Sequence, residues 1–397
     1  MALDLHRIRA ETPGCHDLAF FDSAGSSLPP APVLDTVIGH LRREAEVGGY
    51  RAAAERAADL AAVKDAIGAL IGAPAGTIAL SDSATRAWCD FFYAVPLRAG
   101  QRIVVTGVDY ASNAIAALQR ARAAGAEVVV LPSDADGRVD LDALDAVLDE
   151  RVALVSLVHV PTNSGLVAPV REIADRAHAV GAPVLLDACQ SVGQVTVDAR
   201  ELGVDALTAT GRKWLRGPRG TGFLYVRPEL IERIEPRSLD LHSAQWVAEG
   251  EYCVASDAAR FETWEADVAA RLGLGAAVRY LLELGPDHVF AAITRRAAGI
   301  RERLAALPAV TVRDPVGGAL GGIVSFTVDG VDPDRVQAAL FDRGVVVSVT
   351  RRGSTLRDMT ARGLTAAVRA SAHAFVSDVD VDRLVDGIVG LDVRPRS

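Results

Sequence analysis

Short apolar runs and stretches of helical spacing alternate along most of this chain. A run of aliphatic residues bounded by Gly, Pro, Asn or Asp reads as a buried strand, and apolar residues recurring every third and fourth position read as a helix. The pattern predicts a helix over 3–11, stopped by Thr12-Pro13-Gly14. A short strand then runs into the turn Ala24-Gly25-Ser26-Ser27-Leu28-Pro29-Pro30, of the kind that either borders a ligand or merely closes a loop. Helices follow over 32–47 and 51–71, broken at Gly48-Gly49-Tyr50. Strands are predicted at 77–81, 102–106, 127–131, 152–159, 184–187, 206–209 and 223–226, with helices at 82–95, ending near 124, at 140–148 and at 170–180 between them.

Such alternation means an α/β fold: a large domain whose mostly parallel sheet is covered by helices on both faces. The stretch 230–259 is less regular and reads as an arm or linker. Helices at 266–284 and 287–307 lead into strand 322–327, helix 334–343, strand 345–350, an Arg/Gly/Ser loop, strand 367–370 and helix 380–389, a smaller α+β C-terminal domain. The expected division is 1–20 as an N-terminal segment joining the small domain, 21–265 as the large domain and 266–397 as the small one.

In open α/β sheets, ligands bind beyond the carboxyl ends of strands. Asn163, Asp187 and Lys213 all fall at or just after such ends, so they are expected to converge. Lys213 stands among small, apolar and glycine residues in a chain poor in lysine. An amine so placed, beside Arg212, loses its proton easily. A neutral amine attacks a carbonyl to form a Schiff base, which makes Lys213 the expected carrier of pyridoxal phosphate. The alternative for this stretch alone is a lysine in a surface loop.

Other residues have a functional and a plain reading. Asp187 ends an apolar strand; a buried carboxylate needs a cationic partner, and a protonated pyridine nitrogen is one, as is an ordinary salt bridge. Ser83 and Thr85 sit where a helix starts, which suits a phosphate or simple capping. Thr210 and Arg212 can hold an anion. Asn163 is a donor to a ring oxygen or a turn residue, and Tyr110 a ring-stacking group or half-buried core. Arg369 grips a substrate carboxylate with two parallel hydrogen bonds or lies on the surface.

Composition narrows the classes. Half of the 397 residues are hydrophobic, enough for a large core. A net charge of −9 argues against nucleic-acid and anionic-membrane partners. No apolar segment reaches the length of a membrane span, and residues 1–7 carry no apolar signal region, so a cytoplasmic protein is expected. Cys15, Cys89, Cys189 and Cys253 are scattered without a C-x-x-C pair, which fits a reducing compartment and no metal site. The glycine fingerprints of dinucleotide and nucleotide enzymes, G-x-S-x-G and H-E-x-x-H are absent.

With these residues in view, the chain resembles the class V aminotransferase and cysteine desulfurase family of fold-type I pyridoxal-phosphate enzymes, over nearly its whole length. The resemblance rests on Ser83-Ala84-Thr85, Asn163, Asp187-x-x-Gln190, Thr210-Gly211-Arg212-Lys213, Gly217-Pro218-Arg219-Gly220 and Arg369-Ala370-Ser371 in that order. It implies that Lys213 forms the Schiff base and that Asp187 binds the pyridine nitrogen. It further implies that Gln190 and Asn163 contact the ring hydroxyl and that Ala84, Thr85, Thr210 and Arg212 hold the phosphate. Tyr110 falls where the family often has a stacking histidine, Arg369 on its carboxylate-binding arginine, and members are usually homodimers. Tyr50 is placed at the substrate end.

Three departures stand out. Arg212 replaces a histidine, Glu265 stands where a phosphate-binding threonine is often found, and no cysteine lies between Gly344 and Arg369. The last predicts that the chain is not a persulfide-forming cysteine desulfurase. The segments Glu44-Ala45-Glu46-Val47-Gly48-Gly49-Tyr50 and Arg212-Lys213-Trp214-Leu215-x-Gly217-Pro218-Arg219-Gly220 are similar to ergothioneine-pathway carbon–sulfur lyases. A carbon–sulfur β-elimination is therefore favoured, with transamination, epimerisation or a non-catalytic cofactor-binding protein as alternatives.

Overall fold

The computed structural model describes residues 3–391. Its centre is a seven-stranded sheet of β1 (Ile78–Ser81), β2 (Arg102–Val105), β3 (Glu127–Val130), β4 (Val152–Val158), β5 (Val184–Asp187), β6 (Ala206–Thr210) and β7 (Gly222–Val226). The strands lie in the order β1-β7-β6-β5-β4-β2-β3. All neighbours are parallel except β7, which runs antiparallel to both β1 and β6.

Successive side chains on these strands feed two different cores. Val104, Val155, Leu186 and Leu207 meet Ile67 and Ile71 of helix Ala57–Ile71, Ile173 of helix Val170–Ala179, and Leu274 and Val278 of helix Val268–Leu284. Ile103, Val105, Leu154, Leu185 and Leu224 face the opposite way, onto Trp88 and Phe91 of helix Ala84–Ala94 and Ala117 and Ala121 of helix Ala111–Ala124. Both faces are covered, which is why these strands read as unbroken apolar runs. Each large aliphatic group buried this way contributes about 1.5–3 kcal/mol. The helix Val268–Leu284, which opens the C-terminal part of the chain, is thus bound into the core of the large sheet.

A second, antiparallel sheet contains β8 (Val310–Val312), β9 (Ile323–Val328), β10 (Ser348–Arg351) and β11 (Ala366–Ser371), in the order β8-β9-β11-β10. Its core takes in Val336 and Leu340 of helix Pro333–Phe341, Leu384 and Ile388 of helix Asp378–Val389, and Ile8, Ala19 and Phe21 from the start of the chain. Ala19–Phe20 pairs in parallel with Val345–Val346, and Ser371 N donates to Phe21 O at 2.6 Å.

Four predicted elements differ: the helix expected over 51–71 is two, Gly49–Glu55 and Ala57–Ile71, the strand expected over 345–350 is two, Val345–Val346 and Ser348–Arg351, and two others depart further. The helix expected over 140–148 is only a 3-10 turn at Leu144–Ala146. Asp140 Oδ1 accepts from the backbone of Asp142 (3.0 Å) and Ala143 (3.3 Å), a local bond that competes with the helix. The irregular stretch 230–259 contains an exposed hairpin, Ala244–Ala248 with Glu251–Val254, turned at Gly250 with φ 84°. Among the described residues, no helix is long and apolar enough to cross a membrane.

Candidate active site

The parallel strands β4, β5 and β6 end together, with Val158 opposite Asp187 and Asp187 opposite Thr208. A cavity of about 160 Å³ opens beyond these ends. Ser83, Ala84, Thr85, Tyr110, Asn113, Thr162, Asp187, Cys189, Gln190, Thr210, Arg212 and Lys213 line it.

Lys213 is delivered by a tight turn after β6. Gly217 N donates to Gly211 O (2.7 Å) and Arg216 N to Lys213 O (3.0 Å). Buried Trp214 and Leu215 pin the turn, and Arg216 adopts the left-handed conformation, φ 63°. The Arg216 side chain donates to Leu28 O (2.9 Å) and Thr12 Oγ1 (2.5 Å), which holds it in that conformation. Burial pushes the Lys213 amine down to about 8; Cys189 and Asp187 oppose the shift, while Arg212 and Arg369 add to it. A fraction of the amine is therefore neutral near neutral pH.

Asp187 forms the floor. Its Oδ1 accepts from Cys189 N (3.0 Å) and its Oδ2 from Asn113 Nδ2 (2.8 Å). Asn113, buried on helix Ala111–Ala124, is the residue that sequence reasoning misses: an Asn in the first turn of a helix reads as an end residue. Burial pushes the Cys189 thiol well above its usual range, with Asp187 adding to the shift, so this sulfur stays protonated and is a poor nucleophile. Gln190 commits its carboxamide to protein, accepting from Trp214 Nε1 (2.9 Å) and donating to Ala24 O (3.0 Å).

The opposite wall is the start of helix Ala84–Ala94. Ser83 Oγ accepts from Arg86 N (3.1 Å), which leaves the first-turn amides of Ala84 and Thr85 toward the cavity. β7 approaches this helix end closely because residue 222 is glycine; a Cβ there would lie 2.6 Å from Ala84 N and 2.7 Å from the Ser83 carbonyl carbon. Thr210 Oγ1 donates to Thr221 O (3.2 Å), and Arg212 Nη1 to Gly25 O (2.9 Å). Tyr110 stands at the mouth, 42% exposed.

Three of the expected residues, Asn163, Tyr50 and Arg369, do not line this cavity. Asn163 is turned away from the cavity: its Nδ2 donates to Asp358 Oδ2 (2.5 Å), and Thr162 takes the lining position. Tyr50 is 80% exposed, on a separate groove of about 1260 Å³ with Leu41 and Trp264, because it begins a surface helix, Gly49–Glu55. Glu265 lines that same groove. Arg369, buried on β11, reaches Thr162 with Nη1 (3.0 Å to O, 2.9 Å to Oγ1).

Residues 19–384 match the model of the aminotransferase class-V family, and the chain belongs to that family. A probable cysteine desulfurase 2 of Mycobacterium leprae is 34% identical, covering 98% of this chain and 96% of that protein. A cysteine desulfurase of Haloferax volcanii is 29% identical over 95% of this chain and 91% of its own length. Among solved structures, the apo cysteine desulfurase of Thermococcus onnurineus NA1 has a TM-score of 0.90 at 24% identity, covering 98% of this chain and 99% of that one. The cysteine desulfurase CsdA of Escherichia coli has a TM-score of 0.89 at 22% identity, covering 98% of both chains. The fold is that of the fold-type I pyridoxal-phosphate enzymes, and pyridoxal phosphate is the cofactor.

These relatives correct one expectation. The missing cysteine between Gly344 and Arg369 does not exclude a cysteine desulfurase, since proteins of that name resemble this chain over nearly its full length. One absent side chain in one segment is weaker information than the whole sequence.

The cavity suits the cofactor chemically. An amine of lowered basicity suits an aldehyde, an oriented carboxylate would partner a pyridinium, and a helix N-terminus with a nearby guanidinium would hold a phosphate.

Proposed function

We propose that this enzyme uses pyridoxal phosphate to cleave the carbon–sulfur bond of a cysteine-type amino acid. The observation that carries the reading is a lysine amine of pKa about 8 sharing one cavity with a doubly anchored aspartate. In this reading Lys213 holds the cofactor covalently and Asp187 keeps its ring nitrogen protonated. Ser83, Ala84, Thr85, Thr210 and Arg212 hold the phosphate and Tyr110 covers the ring at the mouth, while Gln190, its carboxamide committed to Trp214 and Ala24, braces the turn that carries Lys213. When bound, the cofactor supplies an electron sink for the substrate's α-carbon.

The chain's own groups do the rest. Arg369 binds the substrate carboxylate, which fixes the α-carbon. The released Lys213 Nζ takes the α-proton, a task suited to a base whose pKa lies near the working pH. The sulfur then leaves from the β-carbon with the electron pair of its bond. The names of the relatives support a sulfur amino acid. We extend the reading to a homodimer, supported by exposed Ile38, Leu41, Tyr50 and Trp264, and to the cytoplasm, supported by four free cysteines.

The test is a panel of amino acids and cysteine S-conjugates, read together for pyruvate, keto acid, released sulfur and inverted product, with Lys213→Ala alongside. Pyruvate and sulfur in equal amounts, absent from the variant, are expected. Keto acid or inverted product alone overturns the carbon–sulfur reading.

A further inference from the structure

Arg369 already makes four hydrogen bonds within the chain. Nε donates to Ser348 Oγ (3.0 Å), Nη1 to Thr162 O (3.0 Å) and Oγ1 (2.9 Å), and Nη2 to Asp22 Oδ1 (3.0 Å). A guanidinium has five N–H groups, so one remains. A carboxylate gripped by two parallel bonds needs two. An incoming carboxylate must therefore displace a resident partner.

Asp22 is the one anion within ion-pair distance of Arg369 among the described residues. It precedes the short helix Ser23–Ser26 but accepts no capping bond from it. Its side chain is 24% exposed, against 9% for Arg369. The carboxylate rests on Gly25, where a Cβ would lie 2.4 and 2.5 Å from its two oxygens. The backbone sets this meeting: Asp22 bridges to Ser371 beside Arg369, and Ala24 N donates to Ser371 Oγ at 2.9 Å.

We infer that Asp22 is a resident carboxylate that occupies the substrate's place on Arg369 and lowers affinity for substrate by competing with it. The inference rests on the assignment of Arg369 under Proposed function. It makes Asp22 a specificity-determining residue. A ligand with a full α-carboxylate displaces Asp22, whereas an amide or ester of the same amino acid has no charge with which to do so.

The experiment titrates the holoenzyme by calorimetry with L-alanine, which has no β-leaving group, and with n-propylamine, which has no carboxylate. Wild type, Asp22→Asn, Asp22→Ser and Arg369→Ala are compared. Both Asp22 variants are expected to bind L-alanine roughly three- to tenfold more tightly, as for a partly buried charge pair, with propylamine unchanged. A gain of affinity is not what structural damage produces. Unchanged or weaker L-alanine binding in both variants, with Arg369→Ala weakened, overturns the competition. If Arg369→Ala binds L-alanine as well as wild type, the carboxylate role of Arg369 fails instead, and the inference falls with it.

Discussion

Asn113 Nδ2 donates to Asp187 Oδ2 at 2.8 Å, so a helix on one face of the sheet holds the carboxylate at the end of β5. With Cys189 N on the other oxygen, both ends of the carboxylate are engaged. Asn113→Ala is expected to cost about 1–3 kcal/mol of stability through the buried acceptor left short of a donor. It should also slow α-proton exchange about tenfold, because a loosened carboxylate no longer meets the ring in one geometry. Exchange into deuterated water, followed by NMR, checks this; an unchanged rate removes Asn113 from the positioning of Asp187.

Lys213 gives a pH signature in the cofactor-free protein. Burial lowers its folded-state pKa from 10.5 to about 8. Between these values the unfolded chain holds more protons than the folded one, so stability rises with pH across that window. The penalty is fully present below about pH 8 and amounts to at most about 3 kcal/mol, less where the cavity admits water. In denaturant melts from pH 7.5 to 10.5, wild type should gain stability relative to Lys213→Met as pH rises, with the slope flatter in the variant; these pH limits are about half a unit below the folded value and at the unfolded one. Parallel curves would contradict a buried amine.

Gly222 sets the distance between β7 and the helix that starts at Ala84. An added methyl meets backbone on three sides, Ala84 N, the Ser83 carbonyl carbon and Ala209 O, all within 2.8 Å. Backbone yields poorly, so Gly222→Ala is expected to cost about 1–3 kcal/mol and to weaken pyridoxal-phosphate binding. Gly39→Ala, where the methyl meets nothing within 4 Å, is the control and should melt at or slightly above wild type. Fluorescence titration with the cofactor and thermal melts read both effects.

Thr162 and Asn163 are adjacent but should separate cleanly. Thr162→Val removes the hydroxyl from Arg369 Nη1 and is expected to raise KM roughly threefold to tenfold with little change in Tm. Asn163→Ala strips Asp358 of a donor and is expected to lower stability by about 1–3 kcal/mol while KM holds. Steady-state kinetics beside thermal melts decide, and a reversed pattern would put Asn163 at the site.

The sheet was legible because most of its strands are short apolar runs buried on both sides, and Lys213 and Asp187 because they sit at strand ends. Loop residues are harder: in Pro161-Thr162-Asn163-Ser164 no periodicity says which side chain faces the cavity, and a shift by one residue exchanges Thr162 for Asn163. Asn113 hides in a helix whose polar residues read as outward-facing, although it is buried. Tyr50 was drawn to the site by resemblance alone, which carries no exposure information. The helix expected at 140–148 gave way to a side chain bonding its own backbone.

The parallel pairing of Ala19–Phe20 with Val345–Val346 has a consequence for biosynthesis. Ala19–Phe20 finds its partner only once Val345 and Val346 have been made, and until then Phe20 and Phe21 lack their native cover. A nascent chain halted before Val345 would carry Lys213 and Asp187 yet lack Arg369, and its uncovered aromatic residues would make it a client for chaperones.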